Sequence, residues 1–295
     1  MTINFREALA TLSRALPAVL FRAGIFVAGG FMVIILFGMV LFAFRLAGSS
    51  GRAVAMGITV MAVLGWLGSI LVLQRFFLYR HRAALLFLFS GCPTAALGLP
   101  AAIQETRLFF PDHSRWAVLN RGLRRALSVF YRVDGESSLR SAADADMRFS
   151  RTLDLLASGP LSQAILALAF SRGNTDPGRS AREALALYFR HGLESRRLAR
   201  QWLWFSAAGL ALLFLCLALP NWFFFRSAGA PVGIGIILAA AIAWLLHQAF
   251  VIPFVLAGMS GALLAETRGK TPDPDLCIKI DSLVPALALL NEKTN

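Results

Sequence analysis

The sequence predicts an all-α integral membrane protein, with four transmembrane helices arranged as two antiparallel hairpins and a helical cytoplasmic insert between the hairpins. Three observations predict this fold class. Hydrophobic residues make up 57% and charged residues 15% of the 295 residues, whereas soluble proteins contain about 45–50% and about 25%. Four stretches without a charged residue are long enough to cross a membrane. Basic residues concentrate on one side of these stretches.

The predicted spans are uncharged stretches of 22, 22, 25 and 39 residues, at positions 23–44, 53–74, 201–225 and 227–265. About 20 helical residues cross the hydrocarbon of a bilayer. The fourth stretch is too short for two spans and a turn, so we expect one long helix that is kinked near Pro253 and continues past the membrane surface. Trp202 and Trp204 at one end of the third stretch, with Trp222 at the other, are typical of an interfacial aromatic belt.

The first span is expected to remain in the protein, because its uncharged core is longer than that of a cleavable signal and a second span follows at once. Segments 46–51 and 226–231 are short turns that contain glycine, so the helices that they join must be antiparallel.

Basic residues near the span ends predict the orientation. On one side there are only Arg45, Arg52 and Arg226, whereas the other side carries twelve, namely Arg6, Arg14, Arg22, Arg75, Arg80, Arg82, Arg190, Arg196, Arg197, Arg200, Arg268 and Lys270. The positive-inside rule therefore predicts a multi-pass protein of the inner (plasma) membrane, with both termini and the insert in the cytoplasm.

Residues 83–104 form a further uncharged stretch, interrupted by Gly91, Pro93, Gly98 and Pro100. A fifth span here would move 16 arginines to the outside, against the charge rule. We expect instead a broken helix that is interfacial or re-entrant, and re-entry would indicate a permeation site.

These features divide the chain into six segments. They are a cytoplasmic amphipathic N-terminus (1–22), the first hairpin (23–78), the broken helix (79–104), the basic insert (105–200), the second hairpin (201–265) and a cytoplasmic C-terminal tail (266–295).

The insert carries 16 arginines and 10 acidic residues. Ser114 is the predicted cap of a helix with an apolar stripe of Trp116, Leu119, Leu123, Leu127 and Phe130. Its arginines lie largely off the stripe and are the candidate lipid- or partner-binding residues: Arg115, Arg121, Arg124, Arg125 and Arg132. Two readings stay open, either an amphipathic helix on anionic lipid or a helix that packs its stripe inside the insert.

The rest of the insert is also predicted to be helical. Residues 133–146 are polar and predict a connector, and a helix from about Met147 is expected to break at Gly159–Pro160. Residues 161–170 are apolar nearly all round, which is typical of a buried helix. Ser180 and Glu183 have the spacing of a capping box, and the helix that follows is expected to run into the third span.

No catalytic or cofactor motif is present, since phosphate loops, HExxH, GxSxG, dinucleotide-binding glycines and histidine clusters are all missing from the sequence. Cys92, Cys216 and Cys277 form no CxxC pair. We therefore expect no enzyme activity, no cofactor and no metal. The net charge of +13 is attributed to membrane orientation rather than to nucleic-acid binding, because stacking aromatics and known motifs are missing.

The candidate polar site within the spans is His247 with Gln248, followed by Pro253. Ionisable groups at membrane depth usually face a bundle interior or a cavity. Proline also frees a backbone carbonyl, which could join the site. The competing interpretation is a hydrogen bond that only holds two helices together.

Two functions follow as expectations. The first is a non-enzymatic membrane anchor or assembly subunit, whose basic insert docks a cytoplasmic partner or anionic headgroups, with a homo-oligomer also possible. The alternative is a small transporter or channel subunit that uses the site at His247 and Gln248.

Overall fold

In the computed structural model, residues 5–46, 78–92, 98–138, 144–172, 176–227 and 232–283 are described, together with part of 57–72. All regular structure in these residues is helical. The helices are α1 (Phe5–Arg14), α2 (Leu16–Leu46), α3 (Leu78–Phe89), α4 (Leu99–Phe109), α5 (His113–Ser138), α6 (Asp144–Ser171), α7 (Pro177–Ser227), α8 (Val232–Leu246), α9 (Ile252–Thr267) and α10 (Pro274–Leu283), with a π-helical turn (His247–Val251) between α8 and α9.

Within the described residues, three segments are long and apolar enough to cross a membrane: Leu16–Leu36, Arg197–Ser227 and Gly235–Thr267. Their apolar side chains are largely exposed, with Met32, Leu212 and Phe223 each more than 60% accessible. Such surface suits lipid contact. The predicted second span, 53–74, lies mostly outside the described residues, and so do most of the connections within the two predicted hairpins.

Contacts divide the chain into two compact units. Unit 1 comprises Met1–Ala18, Tyr79–Phe205 and Phe254–Asn295, and unit 2 comprises Val19–Leu78 and Ser206–Pro253. Helix α7 contributes residues to both units, as expected for a helix that runs from the insert into the third predicted span.

The core of unit 1 is built from helices that are buried on every side. Residues 83–90 of α3 and the following turn, 161–170 of α6 and 184–188 of α7 are all at most 8% accessible. Phe170 contacts the rings of Phe87, Phe109 and Phe110 edge-on. The prediction that residues 161–170 form a buried helix is therefore confirmed.

The predicted break at Gly159–Pro160 is wrong, because α6 continues through both residues. Proline removes one backbone hydrogen bond and strains the preceding turn. Here the helix that follows is wholly buried, and burial of its apolar residues offsets that local cost. The connector predicted at 133–146 is also shorter than expected, since α5 extends to Ser138 and α6 begins at Asp144.

Both predicted helix caps belong to other residues. At the start of α7, Asp176 Oδ1 accepts the backbone N–H groups of Gly178 and Arg179, at 2.8 and 3.3 Å. Ser180 lies inside the helix, and Glu183 pairs with Arg179 at 3.1 Å. The helix begins earlier than the capping box implied, because Pro177 suits the first helical turn.

At the start of α5 the cap is Asp112 rather than Ser114. Asp112 Oδ1 accepts the Ser114 hydroxyl at 2.6 Å and the Arg115 N–H at 2.9 Å. The hydrogen bond from Ser114 and then that from Arg115 lower the pKa of this carboxyl. Ser114 therefore supports the cap instead of providing it.

The helix is broken where the sequence predicted, within residues 83–104. Helix α3 ends at Phe89, and Gly91 has a left-handed φ of 68°. Gly98, with φ of 88°, precedes α4. The 12 residues of α3 extend about 18 Å, which is shorter than a bilayer's hydrocarbon. Whether this segment is interfacial or re-entrant stays a prediction.

Trp202 is not part of an aromatic belt. It is 1% accessible, contacts Phe5, Phe205 and Phe254 through ring edges, and lies directly over Gly258. Trp204, two residues further, is 55% accessible. A sequence pattern cannot distinguish these two neighbours, because only the packing of α7 on α9 decides which ring is covered.

Unit 2 has a small apolar core. Phe26 of α2, Trp66, Phe225 of α7 and Leu245 of α8 pack together, and all are at most 8% accessible. Phe225 lies so close to Gly235 that a β-carbon there would be 2.9 Å from its ring. The same unit holds the predicted polar site.

Candidate functional site

His247 is buried in unit 2 against α7. It is 6% accessible, and its Nε2 atom lies 2.9 Å from Ser206 Oγ and 3.0 Å from the Ser206 carbonyl oxygen. Ser206 is itself 8% accessible. The imidazole therefore connects the third and fourth predicted spans by hydrogen bonding, which agrees with a purely structural role for His247.

Near Pro253, where the sequence predicts a kink, the helix contains a π-helical turn at His247–Val251. The Ile252 N–H bonds to the His247 carbonyl, five residues back instead of four. In that register the donor for the Gln248 carbonyl would be residue 253, which is a proline without an N–H. The Gln248 carbonyl is thus left without its helical partner.

Arg22 of α2 satisfies this carbonyl. Its Nε donates to Gln248 O at 3.1 Å, and its guanidinium carbon lies 5.3 Å from the centre of the Phe26 ring. Only 3% of Arg22 is accessible. From its position in the sequence alone, this arginine is expected to be a flanking charge of the first span. Its role could have been suspected because the proline creates an acceptor that some distant donor must satisfy.

Four residues thus contribute to one polar cluster within unit 2: the side chains of Arg22, Ser206 and His247, and the backbone carbonyl of Gln248. Ser206 lies in the third predicted span and His247 and Gln248 in the fourth, whereas Arg22 directly precedes the first. A carboxylate is not among them, and the described residues hold no group of three metal-binding side chains. The cluster can therefore join helices and present a cation and an imidazole, but it offers no metal site.

The second candidate set lies on α5. Trp116, Leu119, Leu123 and Leu127 are at most 4% accessible, so the apolar stripe is buried inside unit 1. Arg121, Arg124 and Arg125 are exposed and Arg115 is half-buried. The side chains of Phe130 and Arg132 lie outside the described residues. Burial of the stripe agrees with the interpretation in which this helix packs its apolar side inside the insert.

Arg82 of α3 adds to this basic face. Burial, and next the charge of Arg124, lower the pKa of its guanidinium. Arg124 Nη2 also lies near Gly159, 3.5 Å from where a β-carbon would be.

Two further candidates, Cys92 and His113, make contacts within unit 1. Cys92 Sγ donates to the Phe170 carbonyl at 3.1 Å, and the ring of His113 contacts Tyr79 edge-on. Burial lowers the pKa of His81.

No known protein family matches the chain, and neither a curated protein nor a solved structure shows detectable similarity to it.

Proposed function

We propose that the protein is a non-enzymatic anchor or assembly subunit of the inner membrane, which docks an anionic cytoplasmic partner through Arg121, Arg124 and Arg125. The observation that carries this proposal is the burial of the α5 stripe beneath exposed arginines. A helix that lies in a bilayer interface needs a free apolar face. Because the apolar face of α5 is buried in unit 1, only its exposed arginines are available to bind a partner.

Unit 2 is the membrane part in this proposal. It contains two helical segments of 22 residues each. One is 206–227 of α7. The other is 232–253, which consists of α8, the π-helical turn and the start of α9. A helix of that length extends about 33 Å, close to the thickness of the hydrocarbon. Unit 1 then holds both termini and the insert, which the charge rule assigns to the cytoplasm. The four-span arrangement as two hairpins is part of the same proposal.

The test is mass spectrometry of what co-purifies with the tagged full-length protein after mild detergent extraction from its native host. The variant R121Q/R124Q/R125Q removes the proposed face. The matched control R6Q/R107Q/R179Q removes the same charge from exposed residues elsewhere in unit 1. We expect an acidic protein in stoichiometric amount with the wild type and the control, and its loss from the triple variant and at high salt.

Two outcomes would overturn the docking proposal. One is a wild-type preparation that contains no protein partner, and the other is a partner that the triple variant retains. Anionic lipid alone, lost only from the triple variant, would assign the face to the membrane surface instead.

A second candidate function is a transporter or channel subunit, and the placement of Arg22 at the polar cluster favours it. Buried charges within spans commonly mark ion or substrate paths, and π-helical turns are frequent at functional sites. Proton flux into proteoliposomes, followed with a trapped pH-sensitive dye, tests it. Flux in the wild type and in H113L, but not in H247L, would support the role. Wild-type flux equal to that of protein-free vesicles would exclude proton conduction.

A further inference from the structure

Unit 1 contains a cavity of about 600 Å³ at a place that the docking face does not include. It is partly open to solvent and is lined by α1 and by the C-terminal ends of α3, α6 and α9. Its volume falls within the range of roughly 300–1,000 Å³ that small-ligand sites occupy. The charged residues of its lining are Arg14, Arg172, Arg268 and Glu7. Three guanidinium groups against one carboxylate make the lining basic.

Three hydroxyl groups of the lining are already committed to the ends of their own helices. Each donates to a carbonyl of the last turn, as Ser90 Oγ to Phe87 O at 2.6 Å, Ser171 Oγ to Leu168 O at 2.6 Å and Thr267 Oγ1 to Leu263 O at 2.7 Å. These hydrogen bonds offset part of the partial negative charge that the carbonyl groups place at the C-terminal end of each helix. Some of the arginines in the lining are therefore not needed for that purpose.

The three arginines differ in what they contact. Arg172 Nη2 donates to the Lys270 carbonyl at 3.0 Å, which ties the end of α6 to the segment after α9. Arg14 and Arg268 are exposed and pair with no carboxylate of the described residues. Their guanidinium groups stay available for an anion at the cavity, and guanidinium binds phosphate oxygens in a bidentate manner.

The remaining lining indicates what carries the anion. Phe89, Leu168 and Leu264 supply apolar surface beside the arginines. We propose that this cavity binds a phosphate group, carried either by an anionic phospholipid or by a soluble phosphate compound.

The test uses the full-length protein in detergent and compares four forms. They are the wild type, R14Q/R268Q, which removes the two available cations, A265F, which fills the cavity without a change of charge, and the control R107Q/R179Q, which removes equal charge from exposed residues of α4 and α7 that belong neither to the cavity nor to the docking face. Native mass spectrometry with added phosphatidylglycerol counts bound lipid. Calorimetry with inorganic phosphate measures binding of the free anion. Thermal unfolding verifies that each variant is folded.

If the lipid is the ligand, one phosphatidylglycerol binds the wild type and the control. Its affinity falls about tenfold or more in R14Q/R268Q, because charged hydrogen bonds are lost, and also in A265F. The same pattern with inorganic phosphate, but not with the lipid, identifies a soluble phosphate ligand. The proposal is overturned if neither probe binds, or if folded R14Q/R268Q and A265F bind as the wild type does. An equal loss in R107Q/R179Q would show non-specific attraction to charge and would also overturn it. Because R14Q/R268Q and A265F leave α5 intact, the docking proposal can fail separately.

Discussion

At the scale of single residues, the hydrogen bond from Arg22 to the Gln248 carbonyl is the contact with the clearest physical cause. A π-helical turn shifts the backbone hydrogen-bond register by one residue. In the new register residue 253 would have to donate to the Gln248 carbonyl, but this residue is a proline and has no N–H. An unsatisfied carbonyl in an apolar environment is costly. Arg22 removes that cost and links α2 to the fourth predicted span.

We predict that R22M lowers the free energy of unfolding by about 1–3 kcal/mol, because a buried acceptor loses a charged donor. The cost should shrink in a P253A background, since an alanine at that position would supply the N–H that the Gln248 carbonyl lacks. Thermal or denaturant unfolding of the purified protein in detergent measures this coupling. R121M, an exposed substitution on α5, is the control. Equal costs of R22M in both backgrounds would contradict the proposed cause.

At the scale of helices, close packing decides features that local patterns suggest only weakly. Helix α6 passes through Gly159 and Pro160 because the residues after them are buried on all sides. Helices α7 and α9 approach each other at Gly258, where the Trp202 ring occupies the space that a β-carbon would need. Small residues at such contacts allow helices to pack closely.

We predict that G258A destabilises the protein by about 1–3 kcal/mol, because the added methyl group would overlap the indole of Trp202. The matched control is G233A on α8, where no atom lies within 4 Å of the new β-carbon. That control should be neutral or slightly stabilising, since alanine favours helix more than glycine does. Unfolding temperatures in detergent compare the two variants. If G258A unfolds at the temperature of G233A, the close packing of α7 on α9 is wrong.

At the scale of the whole molecule, the division into two units runs parallel to the division into apolar and basic segments. Unit 2 contains the first two predicted membrane crossings and the greater part of the other two, whereas unit 1 contains the insert with its 16 arginines. The proposed orientation places unit 1 on the cytoplasmic side. Cys277 of α10 belongs to unit 1 and provides a probe of that orientation.

In a C92A/C216A background, we predict that a membrane-impermeant maleimide labels Cys277 only after the membrane is permeabilised. Burial raises the pKa of this thiol. Since the thiolate is the reactive form, labelling should be slow at neutral pH and should accelerate as the pH rises toward that pKa. Gel-shift assays of intact and permeabilised cells measure the difference. Labelling of intact cells would place α10 on the outer side and reverse the topology.

Sequence patterns were sufficient for properties that depend on local composition. Uncharged length identified three apolar spans that the structure describes, and glycine with proline correctly marked the break after α3. The run at 161–170 was correctly assigned to a buried helix. These properties follow from the transfer of apolar side chains out of water and from backbone sterics, and both can be evaluated from consecutive residues.

Tertiary structure alone decided which residues meet across the chain. His247 and Gln248 were predicted to form a polar site, yet their partners Ser206 and Arg22 are 41 and 226 residues away. The same holds for Trp202, which packing covers while Trp204 stays exposed. A hydrogen bond or a ring contact depends on distance in space and has no period along the chain. The polar cluster, the buried α5 stripe and the basic cavity therefore exist only in the folded protein.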